Sequence, residues 1–411
     1  MMINKPEVNP GRESESFNVV ILGGSYAGIA AALTLLALKD GKPMPLASYG
    51  NFAPLKNCPR MHNLRITVLD ERDGFFHTIG TPLAHVSSES ASHMWKSYAG
   101  FSKLRRSDVD IIQGSVSGVD LNSKRFIYSS DDGSRKTIQY DFLLISTGIR
   151  RQWPVVPRFC HRAAYLADAS IYANRIMASK EKGLVVIEGG VEFSGKIKMH
   201  HPKTRLLSNE PLPDEFKSRA LELLKEEGVE VILCERPTIT ALPDQTSRIE
   251  TNHAKQMNAG HVFWATSQKA PSTGFLPKSL LREDGSIMVD AQVIGHHLSF
   301  GHIYATGDVT ERHSIRIGGG AMVEGSVAAV NIYSSLMATR DIGFPLVLER
   351  CPQVYRLPRM ALSIGKNIVC YQGENAPVET GQKLGELCFG QDLGWQKMLN
   401  TLGLEDYEEQ L

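Results

Sequence analysis

A glycine turn between an apolar strand and an alanine-rich helix constrains the fold of this chain more than any other segment. Residues 18–22 are mostly β-branched and apolar, Gly23-Gly24-Ser25-Tyr26-Ala27-Gly28 follows, and an Ala/Leu-rich stretch begins at Ile29. Small residues here let the backbone approach a pyrophosphate, and the free N–H groups of the next helix stabilise its charge. The segment predicts a Rossmann strand, turn and helix, although a glycine-rich turn in another α/β protein gives a similar pattern.

A Rossmann unit also needs an acidic residue at the end of its second strand, where it binds a ribose hydroxyl. Residues 64–70 read Leu-Arg-Ile-Thr-Val-Leu-Asp and place Asp70 there. Residues 41–62, rich in proline and glycine, are predicted to be an inserted loop.

Residues 19–38 carry no charge and reach the length of a membrane span. The glycines in their first half favour strand, turn and helix instead.

Two later segments have the pattern expected around the rest of a flavin nucleotide. A strand at 140–145 ends in a turn that includes Thr147 and Gly148, and a strand at 302–305 is followed by Asp308. A glycine-rich helix start at 318–321, which includes Ala321, comes next. Asp308 can accept hydrogen bonds from a ribityl chain, and the helix N-terminus can stabilise negative charge on a reduced flavin. Three such segments in this order predict FAD as the cofactor.

Composition narrows the class of protein further. The 411 residues predict two or three domains. Lys+Arg 45 against Asp+Glu 44 leaves a net charge of +1 without a basic block, which argues against nucleic acid as a partner. The six cysteines are scattered without a CxxC pair, which argues against a zinc ribbon and fits a reducing compartment such as the cytoplasm. His200 and His201 have no carboxylate or cysteine at ligand spacing, so no metal site is predicted.

Together these motifs resemble the apoptosis-inducing-factor-like flavoproteins, the group of the ferroptosis suppressor and the type II NADH dehydrogenases, and fungal members in particular. The matching segments are residues 19–28, 70–77, 146–148, 191–195, 208–214, 305–308 and 390–394. The resemblance implies that residues 23–28 and Asp70 hold the adenosine diphosphate half of FAD. It also implies that Arg72, Thr147 and Gly148 lie along the cofactor, with Asp308 at the ribityl end.

The predicted fold is α/β, with two Rossmann-like domains and a small C-terminal α+β domain. Residues 1–16 are predicted to be a disordered tail. Residues 17–150 and 250–345 form the discontinuous FAD-binding domain, and residues 151–249 form a reduced NAD(P)H-binding-like domain. Residues 346–411 form a C-terminal interface domain, with strands near 360–364 and 368–371.

The second nucleotide turn departs from the family pattern. The strand at 183–187 is followed only by Glu188, Gly189 and Gly190 before a helical pattern, about three residues fewer than a GxGxxG turn needs. Glu188 also places a carboxylate where a pyrophosphate would sit. Residues 198–208 show no strand-like run where the ribose strand belongs. We therefore expect weak or absent NAD(P)H binding, unless the basic residues of 196–205 rebuild a site.

Three side chains are candidates for chemistry at the flavin. Glu192 aligns with a family glutamate close to the ring, although a carboxylate is also stabilised there by the start of a helix. His77 belongs to a segment near the flavin in relatives, or is a hydrogen-bonded core histidine. Lys366 could neutralise a reduced flavin or bind a quinone-like oxygen, or is a solvated turn residue.

The expected function is that of an FAD-dependent oxidoreductase acting on a small organic substrate without a functional NAD(P)H site. Oxygen or a quinone is the expected electron acceptor. The alternatives are an NAD(P)H:quinone-type reductase and a flavoprotein whose FAD is redox-neutral or structural. No integral membrane segment is predicted, and the oligomeric state is left open.

Overall fold

The structure is a computed structural model that describes most of the chain. The described residues are 16–47, 60–151, 153–187, 204–206 (backbone only), 212–232, 237–265, 270–290, 301–311, 315–341, 344–352, 359–373 and 376–407. Of the predicted N-terminal tail, only Ser16 belongs to this part.

The secondary structure alternates strands and helices through most of the chain. In chain order the strands are β1 (Phe17–Leu22), β2 (Leu64–Asp70), β3 (Gly74–Phe76), β4 (Trp95–Ser97), β5 (Val109–Asp120), β6 (Arg125–Ser130), β7 (Arg135–Gln139), β8 (Phe142–Ile145), β9 (Ile149–Arg150), β10 (Leu184–Ile187), β11 (Thr204–Leu206), β12 (Glu230–Val231), β13 (Pro237–Ala241), β14 (Ser247–Thr251), β15 (Gln256–Ala259), β16 (His261–Trp264), β17 (Ala270–Pro271), β18 (Ile303–Ala305), β19 (Met360–Ile364), β20 (Asn367–Tyr371) and β21 (Glu379–Thr380). The α-helices are α1 (Tyr26–Asp40), α2 (Thr81–Ala84), α3 (Ser88–His93), α4 (Arg162–Ala178), α5 (Asp214–Glu226), α6 (Gly318–Arg340), α7 (Gln382–Phe389) and α8 (Trp395–Leu402).

A seven-stranded sheet with the order β18-β8-β1-β2-β5-β6-β7 forms the larger half of the fold. Its first five strands are parallel, and β6 and β7 continue β5 as an antiparallel meander. Strand β1 is buried on both faces, which explains why its apolar residues form a continuous run instead of alternating with polar ones. The strands predicted around residues 64–70, 140–145 and 302–305 are confirmed as β2, β8 and β18.

Helices α1 and α6 pack against each other and belong to the same hydrophobic core as β1. Their contact is close because Gly325 has no side chain, and a Cβ at that position would collide with the backbone of Ala27. Helix α1 is apolar around most of its circumference and is buried along most of its length. Residues 19–38 are therefore the strand, turn and helix of a Rossmann unit, as predicted.

A second sheet has the order β12-β11-β10-β16, and all its pairings are parallel. The absence of a ribose strand between 198 and 208 was a wrong prediction, because β11 pairs with both β10 and β12. Three residues are too few for a periodic pattern to be read from sequence. Strand β16 pairs with β10, so this sheet extends past residue 249, where the return to the FAD domain was predicted.

The remaining strands form small antiparallel units. Strands β13, β14 and β15 make one sheet, and β9 pairs with β17. Near the C-terminus, β19, β20 and β21 form a three-stranded sheet, which confirms the strands predicted at 360–364 and 368–371. The α/β fold class is confirmed, with a parallel sheet in each of the two Rossmann-like units. The exact domain boundaries otherwise stay a prediction.

Among the described residues, none of the helices combines the length and the apolar character that crossing a bilayer would require.

Candidate functional site

A cavity of about 900 Å³ opens at the carboxyl ends of β1, β2, β8 and β18. Ligands bind in this position in open α/β sheets, and the volume lies at the upper end of the range for ligand clefts. The predicted cofactor residues that line it are Gly23, Ser25, Tyr26, Ala27, Asp70, Arg72, Thr147, Gly148, Asp308 and Ala321. The structure thus brings together residues that lie almost 300 positions apart in the sequence.

The glycine turn is built by close backbone packing. Gly23 has φ +98°, and a Cβ on it would lie 2.5 Å from the carbonyl oxygen of Ser146 in the turn after β8. A Cβ on Gly28 would collide with the carbonyl of Gly23, and one on Gly24 would meet the Tyr98 hydroxyl at 2.5 Å. Gly24 and Gly28 are therefore needed behind the cavity wall, where they allow the turn to lie tightly against its neighbours.

The start of α1 offers backbone donors to the cavity. The first amides of a helix have no acceptor within the helix, and the Ser25 side chain does not cap them. The unsatisfied N–H groups and the positive end of the helix dipole favour a bound anion such as a pyrophosphate.

Asp70 closes one end of the site and is held by backbone donors. Its Oδ2 accepts a hydrogen bond from the Gly24 amide at 2.7 Å, and its Oδ1 accepts one from the Arg72 amide at 2.8 Å. Burial raises the pKa of Asp70, whereas Arg72 and these two amides act in the opposite direction. Each carboxylate oxygen retains acceptor capacity, so Asp70 can also receive hydroxyl donors from a ribose.

The Arg72 side chain supplies the clearest test of whether a dinucleotide fits. Its Nε is buried and has no hydrogen-bond partner among the described residues. A buried guanidinium N–H without an acceptor is costly, and an anionic oxygen in the cavity would satisfy it. The lining holds five arginines (Arg72, Arg150, Arg151, Arg158 and Arg316) against three carboxylates (Asp70, Glu71 and Asp308). This charge balance fits the two phosphates of FAD.

At the opposite end, Asp308 lies between two arginines that sequence reasoning missed. Arg151 Nη2 donates to Asp308 Oδ2 at 3.3 Å, and Arg316 Nε donates to the Asp308 carbonyl at 3.3 Å. The first turn of α6 reaches the same region through Gly318 and Ala321. Arg151 was detectable as a basic residue just beyond the predicted 146–148 turn, but nothing in the sequence near Arg316 marked it.

His77 is buried behind this wall and does not line the cavity. Its Nδ1 lies 2.9 Å from the Tyr26 hydroxyl, and its Nε2 lies 3.1 Å from the carbonyl oxygen of Leu393. Burial lowers the pKa of His77 to about 4, so the ring is neutral at about pH 7. Its predicted catalytic role stays a prediction.

The other two predicted catalytic residues are not among the described lining of the cavity. Lys366 is exposed in the turn between β19 and β20 and does not line it. Glu192 lies outside the described residues, as do Glu188 and the rest of the second glycine turn. In the part of the chain that the structure describes, no group of three or more His, Cys, Asp or Glu side chains is arranged to hold a metal ion.

Comparison with known proteins agrees with this architecture. Residues 17–325 match the family model described as pyridine nucleotide-disulphide oxidoreductase. Oxidoreductase OXR1 of Ajellomyces capsulatus is 34% identical over 422 residues, covering 96% of this chain and 89% of that protein. Ferroptosis suppressor protein 1 of Xenopus tropicalis is 26% identical over 347 residues, covering 79% of this chain and 82% of that protein.

Among solved structures, the sulfide:quinone oxidoreductase of Aquifex aeolicus superposes with a TM-score of 0.64 and 15% identity. The superposition covers 95% of this chain and 93% of that one. At this identity the similarity establishes a shared fold.

Proposed function

Because this chain belongs to the pyridine nucleotide-disulphide oxidoreductase family and is an FAD-dependent oxidoreductase, we propose that it oxidises a small organic substrate at the flavin without using NAD(P)H. The substrate reduces FAD, and oxygen or a quinone reoxidises it.

The observation that carries this proposal is the length of the second nucleotide turn. In the first unit Gly23, Gly24 and Ser25 link β1 to α1, and Gly28 in the first turn of α1 completes the motif that supplies the tight turn, the close approach and the helix packing. After β10 ends at Ile187, Glu188, Gly189 and Gly190 lead directly into residues 191–195, which resemble the family segment that follows a complete glycine motif, so about three residues of that motif are missing. A motif shortened in this way cannot supply all three features, and the charge of Glu188 would repel a pyrophosphate.

FAD, when bound, supplies the hydride acceptor. The residues that would hold it are Gly23 and the start of α1 at the pyrophosphate, Asp70 at the adenosine ribose and Asp308 at the ribityl chain. Arg316 and the start of α6 give the Asp308 end a positive potential, which favours a ligand that gains negative charge there.

Glu192 is the proposed hydrogen-bond acceptor or general base toward the substrate. Oxidation of an alcohol or amine by hydride transfer also releases a proton, and a nearby carboxylate can take it. The role rests on the family resemblance of residues 191–195 and on the space over the flavin that an unused nicotinamide position leaves for a substrate.

The test is anaerobic mixing of the holoenzyme with NADH and with NADPH while flavin absorbance is followed at about 450 nm. We expect no bleaching with either nucleotide, whereas dithionite should bleach the same sample and show that the flavin can be reduced. Glu188→Gln removes the repulsive charge but leaves the turn short, so it should restore slow reduction at most. Bleaching of the unmodified protein within seconds would overturn the proposal.

A second candidate is an NAD(P)H:quinone-type reductase, favoured by the presence of β11. This strand completes the parallel order expected of a nucleotide-binding sheet, so the fold of the second unit is retained even though its turn is short. The similarity to a ferroptosis suppressor protein is consistent with this candidate. Rapid bleaching by one nucleotide in the same experiment, followed by reoxidation with a soluble quinone, would establish it.

The cytoplasm is the proposed location. In the described part of the chain Cys160, Cys370 and Cys388 are free thiols. Unpaired cysteines are typical of a reducing compartment.

A further inference from the structure

A chain of hydrogen bonds joins the cavity wall to the C-terminal segment. Tyr26 lines the cavity, and its hydroxyl lies 2.9 Å from Nδ1 of His77 and accepts a bond from the Ile79 amide at 3.3 Å. On the other side of the imidazole, Nε2 lies 3.1 Å from the carbonyl oxygen of Leu393. His77 is 1% exposed, so bulk solvent does not reach these positions.

The carbonyl of Leu393 determines the tautomer of this histidine. A carbonyl oxygen can only accept, so Nε2 must carry the proton of the neutral ring, and Nδ1 must present a lone pair. The Tyr26 hydroxyl therefore donates to Nδ1 and directs its own proton away from the cavity. The Leu393 carbonyl therefore determines which atom donates in both hydrogen bonds of the His77 ring.

The position of that carbonyl depends on an unusual backbone turn. Leu393 has φ +53°, a conformation that residues with a side chain rarely adopt, and it is 1% exposed. The Asp392 carboxylate holds the turn by accepting hydrogen bonds from the amides of Gly394 (3.1 Å), Trp395 (3.0 Å) and Gln396 (2.9 Å). Backbone strain that is held in place by its surroundings is commonly found beside functional sites.

Aromatic packing fixes the same assembly. The Trp395 ring lies at the start of α8, and its centroid is 5.1 Å from the centroid of the His77 ring and 5.5 Å from that of Phe75. The Phe75 and Tyr26 rings meet edge to face, with their centroids 5.2 Å apart. The imidazole can therefore neither turn nor leave without disturbing the first turn of α8.

We propose that His77 is a positioning residue that holds the Tyr26 side chain in the cavity wall and transmits to it the backbone geometry of residues 392–394. In this role the C-terminal motif 390–394 acts on the FAD cavity without touching the ligand. The inference concerns the cofactor cavity and does not depend on which molecule reduces the flavin.

The test is a double-mutant cycle between His77→Leu and Tyr26→Phe, with FAD affinity of the apoprotein and the flavin absorption spectrum as readouts. His77→Leu leaves the Tyr26 hydroxyl without its acceptor, and we expect FAD binding to weaken about tenfold with a shifted spectrum. In the Tyr26→Phe background there is no hydroxyl to lose, so the same change should weaken binding by less than about threefold. Equal effects in the two backgrounds would overturn the proposal, because a merely structural histidine acts additively.

Two further variants and one control keep the test decisive. His77→Asn places an amide oxygen near the position of Nδ1, so it should retain most of the affinity that His77→Leu loses. If His77→Leu does not fold, Asp392→Ala loosens the Leu393 turn from outside the core, and it should show the same dependence on the Tyr26 background. His302→Leu is the matched control, since His302 is a partly buried histidine that does not line the cavity and should not couple to Tyr26.

Discussion

Asp308 and its neighbours show how single residues define one end of the cofactor cavity. Sequence patterns identified the carboxylate, whereas Lys366, the lysine they offered for neutralising a reduced flavin or as a solvated turn residue, is exposed and does not line the cavity. The structure places the positive charges of Arg151 and Arg316 beside Asp308. Both contacts depend on how loops from different strands meet, so no local pattern in the sequence encodes them.

At the residue scale, we predict that Asp308→Ala lowers FAD affinity by about tenfold to a hundredfold. The loss corresponds to one hydrogen bond to a charged acceptor, and the change also leaves Arg151 without its carboxylate partner. The measurement is FAD occupancy by absorbance after purification and titration of the apoprotein. Glu311→Ala removes a carboxylate that pairs with Arg282 outside the cavity lining, so it should keep full occupancy. Equal occupancy in the two variants would contradict the placement of Asp308 at the cofactor.

At the element scale, the unit of β1, turn and α1 explains why its glycines cannot be replaced. Gly23 combines a positive φ with a backbone neighbour that leaves no space for a Cβ. Gly133 also has a positive φ (+78°), but a Cβ on it would meet no atom within 4 Å. A substitution at Gly133 therefore introduces conformational strain alone, whereas a substitution at Gly23 adds a steric collision.

We predict that Gly23→Ala destabilises the protein more than Gly133→Ala and also removes most of the bound FAD. Strain alone costs about 1–2 kcal/mol, which is the effect expected at Gly133. At Gly23 the turn after β8 must also move, and this displaces the phosphate-binding amides. Urea unfolding and flavin absorbance measure the two effects. A Gly23→Ala variant with full FAD and the stability of the control would show that the turn does not hold the cofactor.

The second Rossmann-like unit shows the limits of pattern reading at the same scale. Strand β10 and the helix α5 were visible because each has a clear apolar pattern of its own. Strand β11 was not, because it is three residues long and is recognisable only by its pairing with β10 and β12.

At the scale of the whole molecule, burial of histidines links the fold to pH. Burial lowers the pKa of both His77 and His85 to about 4, and His85 Nε2 lies 2.8 Å from the carbonyl of Pro154. In the unfolded chain a histidine has a pKa of about 6.5. Between these values the unfolded state binds more protons than the folded state, so stability rises with pH through this window and is lost as the pH falls.

We therefore predict that lowering the pH from about 7 to about 4.5 destabilises the protein by about 2–3 kcal/mol for each of these two histidines. His85 packs against Trp153, Tyr172 and Phe263, so His85→Phe keeps a ring in place and removes one titrating group. Urea unfolding at the two pH values measures the change. The variant should lose less stability on acidification than the unmodified protein, and an identical loss would show that His85 does not titrate in this window.

The sequence by itself determined the α/β class, the first Rossmann unit and the position of Asp70, because strand burial, glycine turns and helix starts are properties of neighbouring residues. It also predicted the C-terminal strands β19 and β20. Only the tertiary structure decided which charges face the cavity, whether β11 forms, and that His77 lies within hydrogen-bond distance of Tyr26 and Leu393. These features join residues far apart in the chain, such as His77 and Leu393, and their energies depend on burial and partner geometry that a linear pattern does not contain.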